Sequence, residues 1–454
     1  MTLNFIIVGI YFLAVLVIGW RAGKRESPSD FIIGSRDVGF FRTTASIFAV
    51  LGGEMLIAQA AFSYTMGFGA FWLWAGLAIG VIPLGLSVSK IKTLGDKYGF
   101  INLSEYFGLK WGQSNRILAA LIVLVAFFGL LSLQFMAVGN IVSPLFDISY
   151  PIIIITSGLV VLIYLLLGGY KAVINTDLLQ AILMLGILVG LIFFIDIGPV
   201  NFSQSISAAS TTTFISTLLI GIFFSFASAD IWQRIFSSRS ARVARNSLFS
   251  VALLFLVFGF VVTLIGIAAH NHFPTIDPNQ AFFWGLSALL PVGLLGVGIV
   301  MVLATIMSTI DTEVYLLASS IAKDFVARKR KEITDIDLSK IIRPTMIILV
   351  FVAVFIAIFV RDIITVLFGL ASFGLSLSPA IVGSLFWRLK PKAVFISMLG
   401  GVITFFTLIA IGQFNSDNAV ATLPGALFFL IVGQIIFKDS ESETPKLENG
   451  SIAK

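Results

Sequence analysis

Long apolar blocks dominate this chain. The first, "LNFIIVGIYFLAVLVIGW", starts at residue 3. A hydrocarbon core of about 30 Å needs roughly 20 apolar residues of helix. Blocks long enough to cross occur at 3–21, 43–66, 69–89, 117–141, 150–168, 177–197, 211–233, 246–269, 282–322, 342–360, 363–387, 393–412 and 419–437. The pattern predicts thirteen membrane-spanning helices, an all-α integral membrane protein with residues 1–438 as one domain. The ninth block exceeds a bilayer, so part of it is expected outside as an entry segment. The polar tail 439–454 is expected to be disordered and cytoplasmic. The first block lacks a basic leading segment and a small-residue cleavage site, so it reads as a span and not a signal peptide.

Charge fixes the expected orientation. Lys and Arg total 29, and with the N-terminus outside, 28 of them fall in inward loops or the tail; Arg361 is the exception. Basic residues thus follow the positive-inside rule. The pI of 9.4 then reflects topology and not nucleic-acid binding. Only 11% of residues are charged, against about 25% in soluble domains, and no loop is long enough for a soluble domain. Cys is absent, which excludes thiolate metal sites and Cys nucleophiles. His270 and His272 fall beside Pro274 in what reads as a solvated loop, though an i, i+2 pair could bind a metal. With no Cys and no intramembrane His, an enzyme is not expected. A channel is disfavoured by the lack of a repeated pore loop, and a sensor by the lack of a domain after residue 438. Oligomeric state stays open.

Ionisable groups inside spans are costly and mark function. Glu54, Asp177, Asp311 and Glu313 qualify; Asp196 and Asp230 lie near span ends, within reach of headgroups. In the ninth span Thr305, Ser308, Asp311, Thr312 and Tyr315 share one helical stripe. Thr309 flanks it and Glu313 points elsewhere. Hydroxyls and a carboxylate, without His, Cys or Lys, suit a hard monovalent cation, while Ser308 and Thr309 alone would also suit close helix packing. In the second span Gly52 and Gly53, beside Glu54, either unwind the helix locally, as in broken transporter helices, or allow close packing. Thr176 and Asp177 begin the sixth span, where a helix cap and a cation ligand are equally compatible with the spacing.

Five segments in order give the chain a family likeness: "SPSDFIIGSRDVGFF", "GGYKAVINTDLLQ", "DIWQRIFSSRSARVARNS", "TIMSTIDTEVYLLASSIAKDF" and "AIVGSLFWRLKPKAVFISMLGG". The chain resembles the sodium:solute symporter family of sodium-coupled sugar, proline, sialic acid and pantothenate carriers. The resemblance implies a LeuT-like five-plus-five inverted repeat, spans 2–6 and 7–11, with spans 2 and 7 broken. It implies a sodium ion held by the hydroxyls of Ser308 and Thr309 and the carbonyls of Phe48, Leu51 and Thr305. A second sodium site in some relatives falls on Asp177, Ser308, Asp311 and Thr312. Asp311 stands where a hydroxyl is common, so this set reads as a second cation site or a proton-linked acid pair. A proton-coupled carrier using Asp177 and Asp311 is the alternative to sodium coupling.

The resemblance places the solute at midplane, with Gly52, Gly53, Glu54, Gly221, Phe224, Ser225 and Ser228 as candidate contacts. Sugar-carrying relatives have Asn, Tyr and Gln about where Gly221, Phe224 and Met55 stand. An amino acid or small carboxylate is therefore expected in place of a sugar. The short loops and compact tail suggest a bacterial or archaeal inner membrane as the setting.

Overall fold

A backbone crossing hydrocarbon must satisfy its own hydrogen bonds, which leaves helices as the economical solution for blocks this apolar. The computed structural model describes residues 2–24, 27–192, 211–289, 295–327, 333–359, 363–415 and 417–438. Within them the chain is helical with no named strand; one isolated parallel bridge joins Val38 to Ser238. Asp196, Arg361 and the tail 439–454 lie outside the described residues.

The elements bearing on the site are α1 (Thr2–Gly23), α2 (Pro28–Ile33), α3 (Phe40–Met66), α4 (Trp72–Tyr98), α5 (Leu103–Trp111), α6 (Gln113–Phe146) and α7 (Tyr150–Ile192). They are followed by α8 (Thr211–Ala227), α9 (Ala229–Ser237), α10 (Ala241–His272), α11 (Ala281–Leu289) and α12 (Leu295–Ser320). Then come α13 (Asp335–Phe359), α14 (Ile363–Gly374), α15 (Ser378–Phe386), α16 (Pro391–Ala410) and α17 (Thr422–Ile436). Ten stretches are long and apolar enough to cross a membrane, or eleven when the bent pair α8–α9 is one span. That is fewer than thirteen because two stretches, of 59 and 42 residues, each hold more than one crossing's length. At 1.5 Å per residue, either would far outrun the bilayer. The longer one breaks at Gly67 and the other at Gly169. Gly169 has φ +45°, and a Cβ there would lie 2.4 Å from the Phe31 ring. The break needs glycine on both counts.

Every residue of α12 from Gly298 to Ser320 is buried inside the protein, against 22% of the α1 stretch Ile6–Gly23. A helix buried all round is the hub of the bundle. α3, α6, α7 and α13 pack on it. Its C-terminal end runs into a π-helical turn, Ile321–Val326. There Asp324 accepts hydrogen bonds from Ser104 (2.6 Å), Ser320 (2.9 Å), Asn102 (3.1 Å) and Arg116 Nε (2.8 Å). These tie α12 to α5 and α6. The expected long ninth span is instead α11 and α12, with residues 290–294 between them outside the description.

Small residues let other helices approach closely, the usual membrane device. Gly76 and Gly80 of α4 lie against Gly221, Ile222 and Ser225 of α8, and Gly19 and Gly23 of α1 against Tyr164 and Leu167. Two sequence expectations are corrected here. His270 and His272 sit in the exposed last turn of α10, not in a loop; the apolar block simply continues helical to its polar end. Lys92 and Arg234 were counted as loop markers but are buried. Lys92 is paired with Asp96 at 2.5 Å.

Candidate functional site

The oxygen-bearing stripe of α12 faces α3. Ser308 Oγ donates to the Ala49 carbonyl (2.9 Å) and to the Thr305 carbonyl (2.7 Å). Thr309 Oγ1 lies 3.0 Å from the Val50 carbonyl and 3.5 Å from that of Thr305. All of these residues are fully buried. Two hydroxyls and three carbonyls therefore converge, an all-oxygen set with no formal charge. A hydroxyl that now donates keeps lone pairs to turn toward a cation. The carbonyls engaged are those of Ala49 and Val50, between the expected Phe48 and Leu51.

Gly53 makes this approach possible. A Cβ there would stand 2.0 Å from Thr309 Oγ1 and 2.2 Å from the Thr305 carbonyl oxygen. The expected unwinding at Gly52–Gly53 is not found, since α3 is helical throughout Phe40–Met66. Of the two readings the sequence allowed, close packing is what this conformation displays. The other expected break is present: α8 and α9 bend by 41° around Ser228, whose φ −66°, ψ 99° is extended.

One turn further toward the C-terminal end of α12 lies a second group. Asp177 of α7 accepts from Ser46 Oγ of α3 at 2.5 Å and from Arg234 Nη2 of α9 at 3.3 Å. Arg234 also donates to Ser46 Oγ (2.9 Å) and to Thr312 Oγ1 of α12 (2.5 Å). A single guanidinium thus ties four elements together. Asp311 accepts from Tyr164 OH (2.7 Å) and Thr176 Oγ1 (3.1 Å). Asp177 Oδ1, Asp311 Oδ1 and Arg234 Nη1 have no hydrogen-bond partner among the described residues. Thr176 is not a helix cap: its hydroxyl bonds back to Ala172 and Val173, inside a helix that restarts after Gly169. The set Asp177, Ser308, Asp311 and Thr312 is therefore split. Arg234 bridges Asp177 and Thr312, Asp311 turns to Tyr164 and Thr176, and Ser308 belongs to the upper group.

The third group is acidic. Glu54 and Glu313 are buried, and among the described residues none of their four carboxylate oxygens, nor Asp230 Oδ2, has a hydrogen-bond partner. Asp230 does not reach headgroups: it is fully buried and accepts from Ser228 Oγ. Glu54 and Asp230 are within electrostatic range of Glu313. Against the five carboxylates of Glu54, Asp177, Asp230, Asp311 and Glu313, the described residues bury one guanidinium with them. A charge without counter-charge is expensive in low dielectric, so this region suits cations.

Other candidates are packed against neighbouring helices in this conformation. Gly221 has the Leu73 carbonyl 2.2 Å from where its Cβ would be, and Ser225 Oγ donates to Leu77 O (3.2 Å), so both face α4. Phe224 is buried and its carbonyl accepts the Ser228 amide. Sequence reasoning missed Arg234 because it sits where positive-inside residues belong. Its signal was the Gln233–Arg234 pair within an otherwise apolar, tightly packed segment.

The family model for the sodium:solute symporter family matches residues 31–401. The osmoregulated proline transporter OpuE of Bacillus subtilis (strain 168) is 27% identical over 459 residues, covering 94% of this chain and 93% of that protein. Sodium/proline symporter 2 of Staphylococcus saprophyticus is 26% identical over 472 residues, covering 96% and 92%. Among solved structures, an outward-open Na+-coupled sialic acid symporter superposes with a TM-score of 0.79 at 19% identity, over 96% of this chain and 98% of that one. That likeness assigns the LeuT-like fold. With its buried oxygen site, its broken span and a family match over most of its length, this multi-pass membrane protein is a transporter and not an enzyme, and it belongs to the sodium:solute symporter family.

Proposed function

We propose that the chain couples inward sodium flux to uptake of a small amino acid by alternating access, with the N-terminus outside and the C-terminus in the cytoplasm. Ser308, Thr309 and the carbonyl of Thr305, with α3 carbonyls from Phe48 to Leu51, hold the coupling ion. The observation that carries this is the convergence of the Ser308 and Thr309 hydroxyls on the carbonyls of Ala49 and Val50. Hard cations take oxygen donors, and carbonyls of this kind hold sodium in transporter cores.

An amino acid fits better than a simple carboxylate. Glu54 has two buried oxygens without partners, which an ammonium group would satisfy. A bare carboxylate would enter a region of five acids whose one guanidinium is already bound to Asp177. Two relatives named as proline transporters support the same class. The test is thermal unfolding of purified protein in sodium against choline, wild type beside Ser308→Ala. Ligand binding to the folded state raises stability by mass action, about 2.7 kcal/mol at a hundredfold excess over Kd. Sodium should stabilise wild type and not the variant; equal stabilisation of both removes the site.

One observation favours a second reading. Arg234 is ion-paired with Asp177, and among the described residues Asp311 has no ion pair of its own; it is held by Tyr164 and Thr176. A proton there would make the carrier proton-coupled, with Asp177 and Asp311 as its working pair. Stabilisation by acid and not by sodium selects that reading.

A further inference from the structure

Away from the transport core, a groove of about 650 Å³ opens between α15 and α17, with Phe223 of α8 at its inner wall. Leu427, Leu430, Ile431 and Ile435 of α17 line it, with Val382 of α15 opposite. Its mouth is different in character. Arg388 lies on the rim and is exposed, and Trp387 beside it is 69% exposed. Lys438 follows the end of α17 and is exposed as well. Lys390, by contrast, is spent on the end of α17, donating to the carbonyls of Gln434 (2.7 Å) and Phe437 (2.8 Å). Gln434 lines the groove, and its Nε2 is buried with no hydrogen-bond partner among the described residues. An unmet buried donor costs free energy, so a group with acceptor oxygens belongs there.

We infer that this groove binds one anionic phospholipid, its acyl chain along α17 and its phosphate between Arg388, Lys438 and the Gln434 amide. The apolar wall suits hydrocarbon, and the two exposed cations and the amide suit a phosphodiester and its ester carbonyls. An indole at the same level marks the interface. The residues 388–392 fall on the positive, cytoplasmic side, where anionic lipids are found and attract basic clusters. The occupant would touch α8 just before its break at Ser228, because Phe223 is joined to α15 through Ser378 Oγ (2.8 Å). The lipid would therefore brace the first half of the broken span.

The experiment is native mass spectrometry of the purified full chain in detergent. Phosphatidylglycerol is titrated against phosphatidylcholine of the same chains. Wild type should retain one phosphatidylglycerol under conditions that strip phosphatidylcholine. Arg388→Gln with Lys438→Gln, both exposed and so harmless to folding, should weaken retention by about fivefold per charge removed. Ile431→Trp, which fills the groove, should abolish it. Excess inorganic phosphate should not displace the lipid, because the acyl chain supplies part of the binding; displacement overturns the proposal. Equal retention of both lipids by wild type overturns it too, with no variant needed. So does a dimer crosslinked through Ile431, which would show a second copy covering the groove.

Discussion

Gly52 and Gly53 are adjacent, yet substituting each with Ala should have opposite consequences. In an exposed helix either change would be favourable by about 1 kcal/mol, since Gly is the poorer helix former. At Gly52 the new methyl meets Met184 Cε at 2.7 Å, the free end of a flexible side chain. It can swing aside, so Gly52→Ala should be neutral or slightly stabilising. At Gly53 the methyl meets the Thr305 carbonyl oxygen at 2.2 Å, which is backbone and cannot yield alone. Reaching an ordinary contact of 3.4 Å requires α3 and α12 to part by 3.4 − 2.2, or 1.2 Å. Overpacking of this kind costs about 1–3 kcal/mol, enough to cancel the propensity gain. The larger effect is on ion binding, because metal–ligand distances tolerate only about 0.2 Å. The assay is the sodium-dependent rise in unfolding temperature. Gly53→Ala should lose that rise, and Gly52→Ala should keep it. If both variants lose it, the pair acts as an unwinding hinge. If both keep it, the approach of α3 to α12 is not what the ion needs.

Arg234→Met should destabilise the protein by about 3–5 kcal/mol, because it leaves Asp177 buried without its counter-charge. Adding Asp177→Asn should restore part of the loss, with a coupling of at least about 0.5 kcal/mol; additive losses in equilibrium unfolding would show that the pair is not a unit. Asp311→Asn keeps an oxygen for Tyr164 and Thr176 and should fold. It should nevertheless change the ion stoichiometry or the pH dependence of uptake, and if flux measurements show neither, Asp311 carries no cation. Glu105, on the short α5 between the spans, is raised above its ordinary 4.5 by burial, against the pull of Lys323 and Arg116. The folded state then binds this proton more tightly than the unfolded chain, so stability falls as pH rises above about 4.5. Glu105→Gln keeps the acceptor for the Ile101 and Asn102 amides and should flatten that part of the melting-temperature profile. An unchanged slope would remove Glu105 as its source.

The sequence by itself determined the class of molecule. Apolar block length against bilayer thickness requires helices, and the placement of Lys and Arg sets an expected orientation; neither depends on which helix touches which. It also marked Ser308, Thr309 and Asp311, because an intramembrane acid or an oxygen-rich stripe on a helix is legible from spacing. Burial and partnership were decided by the tertiary structure. Arg234 reads as a loop residue until α9 carries it inward to Asp177, Ser46 and Thr312. The Gly52–Gly53 pair is ambiguous in one dimension, because unwinding and close packing both call for glycine. Only the position of the Thr305 carbonyl, 2.2 Å from a missing Cβ, selects between them. The carboxylates of Glu54, Asp230 and Glu313 come from three helices, and no spacing along one chain announces that they converge. The physical reason is common to all three cases: helical periodicity says which side chains share a face, while charge balance and close approach belong to pairs of helices and exist only once those helices are packed.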